Sequence, residues 1–254
     1  MKLPRTPSFR LDGKRALVPG GSSGIGLGAA VALAEAGAAV TLAARGEARL
    51  DEAVGALREA GMEADGLVMD VADVEAVRTS LAEREPYDIL VNAAGFARHG
   101  PSRETRAEDF RAVSEANLMG AYFLAQIVAD RLIEAGRPGS IVTVSSQMGH
   151  VGGRERAAYC ATKHGVEGFT KAMAIEWGPH RIRINTLCPT FVRTPLTQAT
   201  FDDPEKRAWV EGMIKLGRVA EVEDLMGAVL LLASDAGAMI TGTHLLVDGG
   251  WTAD

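Results

Sequence analysis

The chain has 254 residues, 47% apolar and 24% charged, with a formal net charge of −6. That balance is the one expected of a soluble globular protein, long enough to bury a core without disulfides or structural metal. Its acidic balance, without a dense Lys/Arg run, excludes the basic footprint of a nucleic-acid binder.

Residues 1–13 hold charges and two prolines but no apolar core, so they do not read as a secretory signal. Short apolar runs then alternate with segments of helical periodicity. A strand predicted at 15–18 runs into Gly20-Gly21-Ser22-Ser23-Gly24-Ile25-Gly26, and an Ala-rich helix follows at 27–36. Glycines in such a turn allow positive φ and let backbone amides reach a pyrophosphate at a helix N-terminus, where the dipole favours negative charge. The same residues also admit a plain flexible turn. They further match the Gly-x-Ser-x-Gly elbow of a serine hydrolase, with Ser22 as nucleophile and Asp235 and His244 as partners. That elbow does not account for Gly26.

The second strand, at 39–43, leads into Ala44 and Arg45. In dinucleotide folds an acidic residue near this point binds the ribose hydroxyls, whereas an Arg accommodates a 2′-phosphate. Ala44 in the acidic position and Arg45 beside it favour NADP, with NAD as the alternative; the bland reading of Arg45 is a solvated charge. A helix at 48–60, a strand at 66–69, a helix at 74–83 and a strand at 89–91 continue the alternation. Residues 121–133 are apolar around most of a helix, which requires burial, with a partner subunit preferred over the chain's own core.

A strand at 140–144 follows, then a helix whose stripe is Val166, Phe169, Thr170, Met173, Ala174 and Trp177. A strand at 183–187, a helical stripe of Val222, Leu225, Met226, Val229 and Leu232, and a strand at 244–247 complete the chain. The expectation is an α/β fold: a Rossmann-type, doubly wound, seven-stranded parallel sheet with helices on both faces. No linker divides it, so residues 1–254 are read as one domain. No run approaches roughly 18 apolar residues, so no membrane partner is expected. The two cysteines, Cys160 and Cys188, have no CxxC or Cys/His spacing. A reducing cytoplasm with neither disulfide nor metal site is therefore expected.

Tyr159 and Lys163 stand four residues apart in a helical segment and share one face. Tyrosine is a poor acid–base group near neutrality because its pKa is about 10, and a nearby ammonium is expected to lower it. Ser146 lies just past the end of the strand at 140–144, where open α/β sheets bind ligands, and is placed to hydrogen-bond a substrate oxygen. A loop-capping hydroxyl is the alternative for Ser146, and a surface helix for the Tyr/Lys pair.

With these residues in view, the chain resembles the short-chain dehydrogenase/reductase family over nearly its full length. The resemblance rests on the Gly20–Gly26 turn, Asp70-Val71, Asn92-Ala93-Ala94-Gly95, Ser146 with Tyr159-x-x-x-Lys163, and the run from Pro189 to Thr194, with Asn117 matching a fourth catalytic position. It implies that Asp70 and Val71 hold the adenine and that Asn92 and Gly95 lie along the adenosine. Lys163 would bind the nicotinamide ribose, Val192 and Thr194 the carboxamide, and Asn117 a water relaying protons to Lys163. Together with Tyr159, the cofactor set is then Gly20, Ser22, Ser23, Gly24, Ile25, Gly26, Arg45, Asp70, Val71, Asn92, Gly95, Pro189, Val192 and Thr194. A homotetramer or homodimer is also implied.

Three residues depart from the family pattern: Pro19 for Thr, Ala93 for Asn and Thr190 for Gly. Pro19 lacks an amide hydrogen, so a turn hydrogen bond is expected to be lost or rerouted. The activity implied is hydride transfer between a nicotinamide and a carbonyl or secondary alcohol of a small molecule, with Tyr159 as acid/base. A catalytically silent dinucleotide sensor is the remaining alternative. Gln147, His150, residues 96–99 and a lid at 195–213 are expected to shape the substrate pocket, without naming the substrate.

Overall fold

The computed structural model describes residues 1–253; Asp254, the last residue of the expected domain, lies outside them. Seven strands carry the apolar runs: β1 (Arg15–Pro19), β2 (Ala39–Ala44), β3 (Ala64–Val68), β4 (Ile89–Asn92), β5 (Gly139–Val144), β6 (Ile182–Pro189) and β7 (His244–Val247). They form one parallel sheet in the order β3-β2-β1-β4-β5-β6-β7. The order reverses between β1 and β4, the switch point where a crevice opens at the strand ends. Alternation along each strand sends successive side chains to opposite faces. Ala16 and Val18 join the core under one helical layer, whereas Leu17 joins the core under the other.

The helices are α1 (Gly24–Glu35), α2 (Glu47–Glu59), α3 (Val74–Ala82), α4 (Ala107–Ser114), α5 (Ala121–Glu134), α6 (Ala157–Trp177), α7 (Gln198–Phe201), α8 (Pro204–Met213) and α9 (Glu223–Ala233). Residues of α1, α2 and α9 cover one face, and residues of α3, α5 and α6 the other. None of the described helices is long and apolar enough to cross a membrane.

Three expectations shift. α1 starts at Gly24 rather than 27, because the glycine turn passes straight into the helix behind Ser23, whose backbone is extended. β3 starts two residues earlier than expected, since an edge strand is fixed by pairing of Ala64 to Val40 and not by its own apolar run. Most of the apolar circumference of α5 packs within the chain, where Ala121, Leu124, Ala125, Ile127, Val128, Ala129 and Leu132 are buried, while Tyr122 stays exposed.

Candidate active site

Two cavities meet at the carboxyl ends of the strands, sharing a wall of Ile25, Ala93, Ala94, Gly95, Phe96, Thr194 and Leu196. The larger, about 490 Å³, runs over the turn between β1 and α1. Gly20, Ser22, Ser23, Gly24, Ile25 and Gly26 line it, with Arg45, Asp70, Val71, Gly95 and Thr194. Two glycines are required by the path of the chain. Gly20 has φ +78, and a Cβ there would sit 2.7 Å from the Ala93 backbone; one on Gly26 would sit 2.1 Å from Gly20 O. Pro19 gives no amide hydrogen to the ladder, but the turn around it is held by its neighbours. Gly20 N donates to Ala43 O at 2.8 Å, Gly21 N to Val18 O at 3.1 Å, and Pro19 O accepts from Ala93 N at 2.9 Å.

Arg45 lies 3.9 Å from Asp70, and both are exposed. Arg49, in the first turn of α2, borders the same cavity and was not foreseen. Its spacing of four from Arg45 was the available signal.

The second cavity, about 260 Å³, holds Ser146, Tyr159 and Lys163 together with Pro189, Thr190, Val192 and Thr194. α6 supplies the Tyr/Lys pair on one face, with Lys163 Nζ 5.6 Å from the centre of the Tyr159 ring. β5 delivers Ser146, whose hydroxyl donates to Gln147 Oε1 at 3.1 Å and accepts from Met148 N at 3.1 Å. Lys163 is buried and donates to Val144 O at 2.8 Å.

Burial pushes the Tyr159 phenol up to about 12, against a downward pull from the Ser146 hydroxyl. Burial thus outweighs the lowering expected from Lys163, whose ammonium is turned to Val144. Burial also drives Lys163 down to about 8, although Cys188 and Glu167 favour its charge.

Among the foreseen catalytic and cofactor residues, Asn92 and Asn117 border neither cavity. Asn92 is buried and its Oδ1 accepts from Ala94 N at 3.1 Å, so its side chain shapes the turn. Asn117 is buried in a π-helical turn (Glu115–Gly120), with Oδ1 accepting from Phe96 N at 3.0 Å and Nδ2 donating to Phe96 O at 2.8 Å. It positions the wall beside Gly95, and its Nδ2 also lies 3.5 Å from Thr162 Oγ1 of α6.

The hydrolase constellation is not assembled. Ser22 lies beside β1, while His244 opens β7, with β4, β5 and β6 between them.

In the substrate cavity His99 stands edge-on to Tyr159, ring centres 6.1 Å apart, and burial holds its pKa down. Gln147, Phe96 and Ala97 line it as expected, but His150 and Arg98 do not. Arg156 and Phe191 were missed, since only the fold brings them in. The Arg156 guanidinium lies 5.5 Å over the Phe191 ring. From the expected lid, Leu196, Thr197 and Thr200 reach the cavity. Phe201 and Val210 of that segment instead join a small separate core with Ile214, Val219 and Trp251.

The residues fit a bound dinucleotide. The turn leaves no room for side chains at Gly20 and Gly26. Thr190 Oγ1, bordering the second cavity, is buried with no hydrogen-bond partner. Such a hydroxyl calls for a ligand's polar groups.

Residues 20–252 match the family described as "Enoyl-(Acyl carrier protein) reductase". L-xylulose reductase from Bos taurus is 43% identical over 96% of this chain and 99% of its own length. D-erythrulose reductase from Gallus gallus is 41% identical over 96% and 98%. The crystal structure of a gluconate 5-dehydrogenase from Burkholderia cenocepacia J2315 in complex with NADP and tartrate superposes with a TM-score of 0.93. That protein is 38% identical, covering 97% of this chain and 98% of the other. The chain therefore belongs to the short-chain dehydrogenase/reductase family, as an NAD(P)-dependent oxidoreductase acting on alcohol and carbonyl groups.

Proposed function

We propose that the protein is an NADP(H)-preferring reductase/dehydrogenase that interconverts a ketone and a secondary alcohol on a small polyhydroxylated substrate. The observation carrying this reading is the convergence of Ser146, Tyr159 and Lys163 on one cavity that shares a wall with the glycine-turn cavity. The names of the xylulose, erythrulose and gluconate enzymes support the substrate class. Arg156 at the cavity wall favours substrates with a carboxylate over neutral sugars, since its guanidinium pairs bidentately with one.

When bound, the nicotinamide supplies or accepts the hydride. Tyr159 then gives its phenolic proton to the substrate oxygen in reduction, and takes it back in oxidation. Ser146 donates to that oxygen and orients it. Lys163 places positive charge behind the phenol and meets the ribose, while Val192 and Thr194 border the carboxamide. Asn117 holds the wall through Phe96. Residues 195–213 act as the substrate lid, supported by the cavity contacts of Leu196, Thr197 and Thr200. A homotetramer or homodimer belongs to this reading, supported by the exposed side chains of Phe110, Met119 and Tyr122.

The test is nicotinamide absorbance with neutral ketoses, polyols and sugar acids, with both cofactors, for wild type and Tyr159→Phe. A positioned acid–base group contributes roughly 10²- to 10⁴-fold. Tyr159→Phe should therefore lose at least about a hundredfold in kcat while still binding NADPH. A near-normal rate in that variant would rule the assignment out. NADPH binding without turnover on any substrate would instead support the silent sensor.

A further inference from the structure

Against the inner face of α6, four side chains that the proposed reaction does not use converge. Glu167 lies one helical turn beyond Lys163, Cys188 sits near the end of β6, His150 follows the short turn after Ser146, and His244 opens β7. Thr186 and His244 are paired in register, so the side chains at 186, 188 and 244 share one face of the sheet. Thr186 Oγ1 and Cys188 Sγ both reach Glu167, which shows that this is the face under α6.

The contacts form a closed triangle. His150 Nε2 is 3.4 Å from Cys188 Sγ, Cys188 Sγ is 3.3 Å from Glu167 Oε1, and His150 Nε2 is 3.8 Å from that same oxygen. The rings of His150 and His244 are 4.1 Å apart between centres. His244 Nδ1 is buried with no hydrogen-bond partner.

We propose that His150, Glu167 and Cys188, whose ligand atoms all lie within 4.8 Å of one another, form a Zn²⁺ site behind α6. Zinc binds nitrogen, oxygen and sulfur at about 2.0–2.3 Å, and a tetrahedron with such bonds has edges of about 3.3–3.8 Å. The three measured separations match those edges, so little rearrangement is required to seat the ion. A thiolate, an imidazole and a single carboxylate form a donor set that selects zinc over magnesium or calcium. Glu167 is already oriented from outside the triangle, because Thr186 Oγ1 donates to its other oxygen, Oε2, at 2.9 Å. Outer partners of this kind are a regular part of metal sites. His150 and His244 are half-buried and give the ion a way in, while Glu167 and Cys188 are buried. Binding forms a sulfur–zinc bond as the Cys188 thiol releases its proton to solvent; zinc stays divalent and nothing is oxidised or reduced.

The test uses untagged, full-length protein, stripped with a chelator, kept reduced, and titrated with Co²⁺ followed by Zn²⁺. The expected result is a thiolate-to-cobalt charge-transfer band with the intense visible absorption of a tetrahedral site, saturating at one equivalent and displaced by Zn²⁺. Cys188→Ser should abolish the band, and Cys160→Ser should leave it intact. His150→Asn, on the half-buried side, should weaken Zn²⁺ binding by at least about tenfold, and Thr186→Val by about 10- to 100-fold. Circular dichroism establishes that each variant is folded. If Cys188→Ser does not fold, His150→Asn decides. A folded wild type without a thiolate–cobalt band, a band that survives Cys188→Ser, or Zn²⁺ affinity unchanged in His150→Asn overturns the site and leaves a hydrogen-bonded trio.

Discussion

Arg45 and Arg49 border the same end of the glycine-turn cavity, but only Arg45 was legible. Arg45 stands where a known exchange of acid for base decides between ribose hydroxyls and a 2′-phosphate. Arg49 becomes relevant only once α2 turns its first coil toward the cavity. A charge-assisted hydrogen bond contributes about 1.5–3 kcal/mol. The double variant Arg45→Ala/Arg49→Ala should therefore raise KM for NADPH roughly 10- to 100-fold and leave NADH within a few fold. Steady-state kinetics with both cofactors checks this, and equal losses for the two would remove the arginines from phosphate recognition.

The Tyr/Lys pair was legible because a helix places positions four apart on one face. Its electrostatics were not, because burial depends on everything packed around it. With Lys163 at about 8 and Tyr159 at about 12, both carry their protons at pH 7, the state that donates to a carbonyl. As pH rises through about 8 the ammonium is lost and the phenol becomes a weaker acid. Reduction should therefore decline above that point. Oxidation, which begins by removing a proton, should gain with pH. A pH profile of kcat in both directions measures this, and parallel profiles would contradict it.

Among the elements, the edge strand β7 was read with its observed limits, and β1, β2 and β4 to within one residue. β1, β2 and β4 show apolar runs on both faces because helices cover both. The edge strand β3 escaped by two residues because its limits come from its neighbour. The π-helical turn at Glu115–Gly120 leaves no sequence signature, yet it sets Asn117 against Phe96. The turn before α1 is where the chain tolerates least. A methyl at Gly26 would overlap Gly20 O, so Gly26→Ala forces the turn open. Overpacking of this kind costs about 1–3 kcal/mol. Denaturant unfolding should show that loss, together with weaker cofactor binding; full stability would mean that the turn yields more easily than its geometry implies.

For the whole molecule, the alternation of strand and helix was enough to set the doubly wound sheet, and the sheet then decided between readings that local motifs left open. Ser22 and His244 are separated by three strands, which removes the hydrolase despite its matching elbow. The proposed metal ligands come from three separate segments, so no Cys/His spacing along the chain announces them. Arg156 and Phe191 enter the substrate cavity for the same reason: α6 begins, and β6 ends, at the same crevice.

The small core beneath the lid also gives the protein an optical reporter. Its three tryptophans are Trp177, Trp209 and Trp251. Trp177 is buried at the end of α6. Trp209 lies on the half-open face of α8, 5.4 Å from Trp251, which in turn stacks 5.6 Å from the cavity-lining Phe191. Intrinsic emission should shift when a substrate settles against Phe191 and draws the proposed lid down. Trp209→Phe should remove most of that shift, whereas Trp177→Phe should preserve it, so that closure can be timed by stopped flow without attaching a dye.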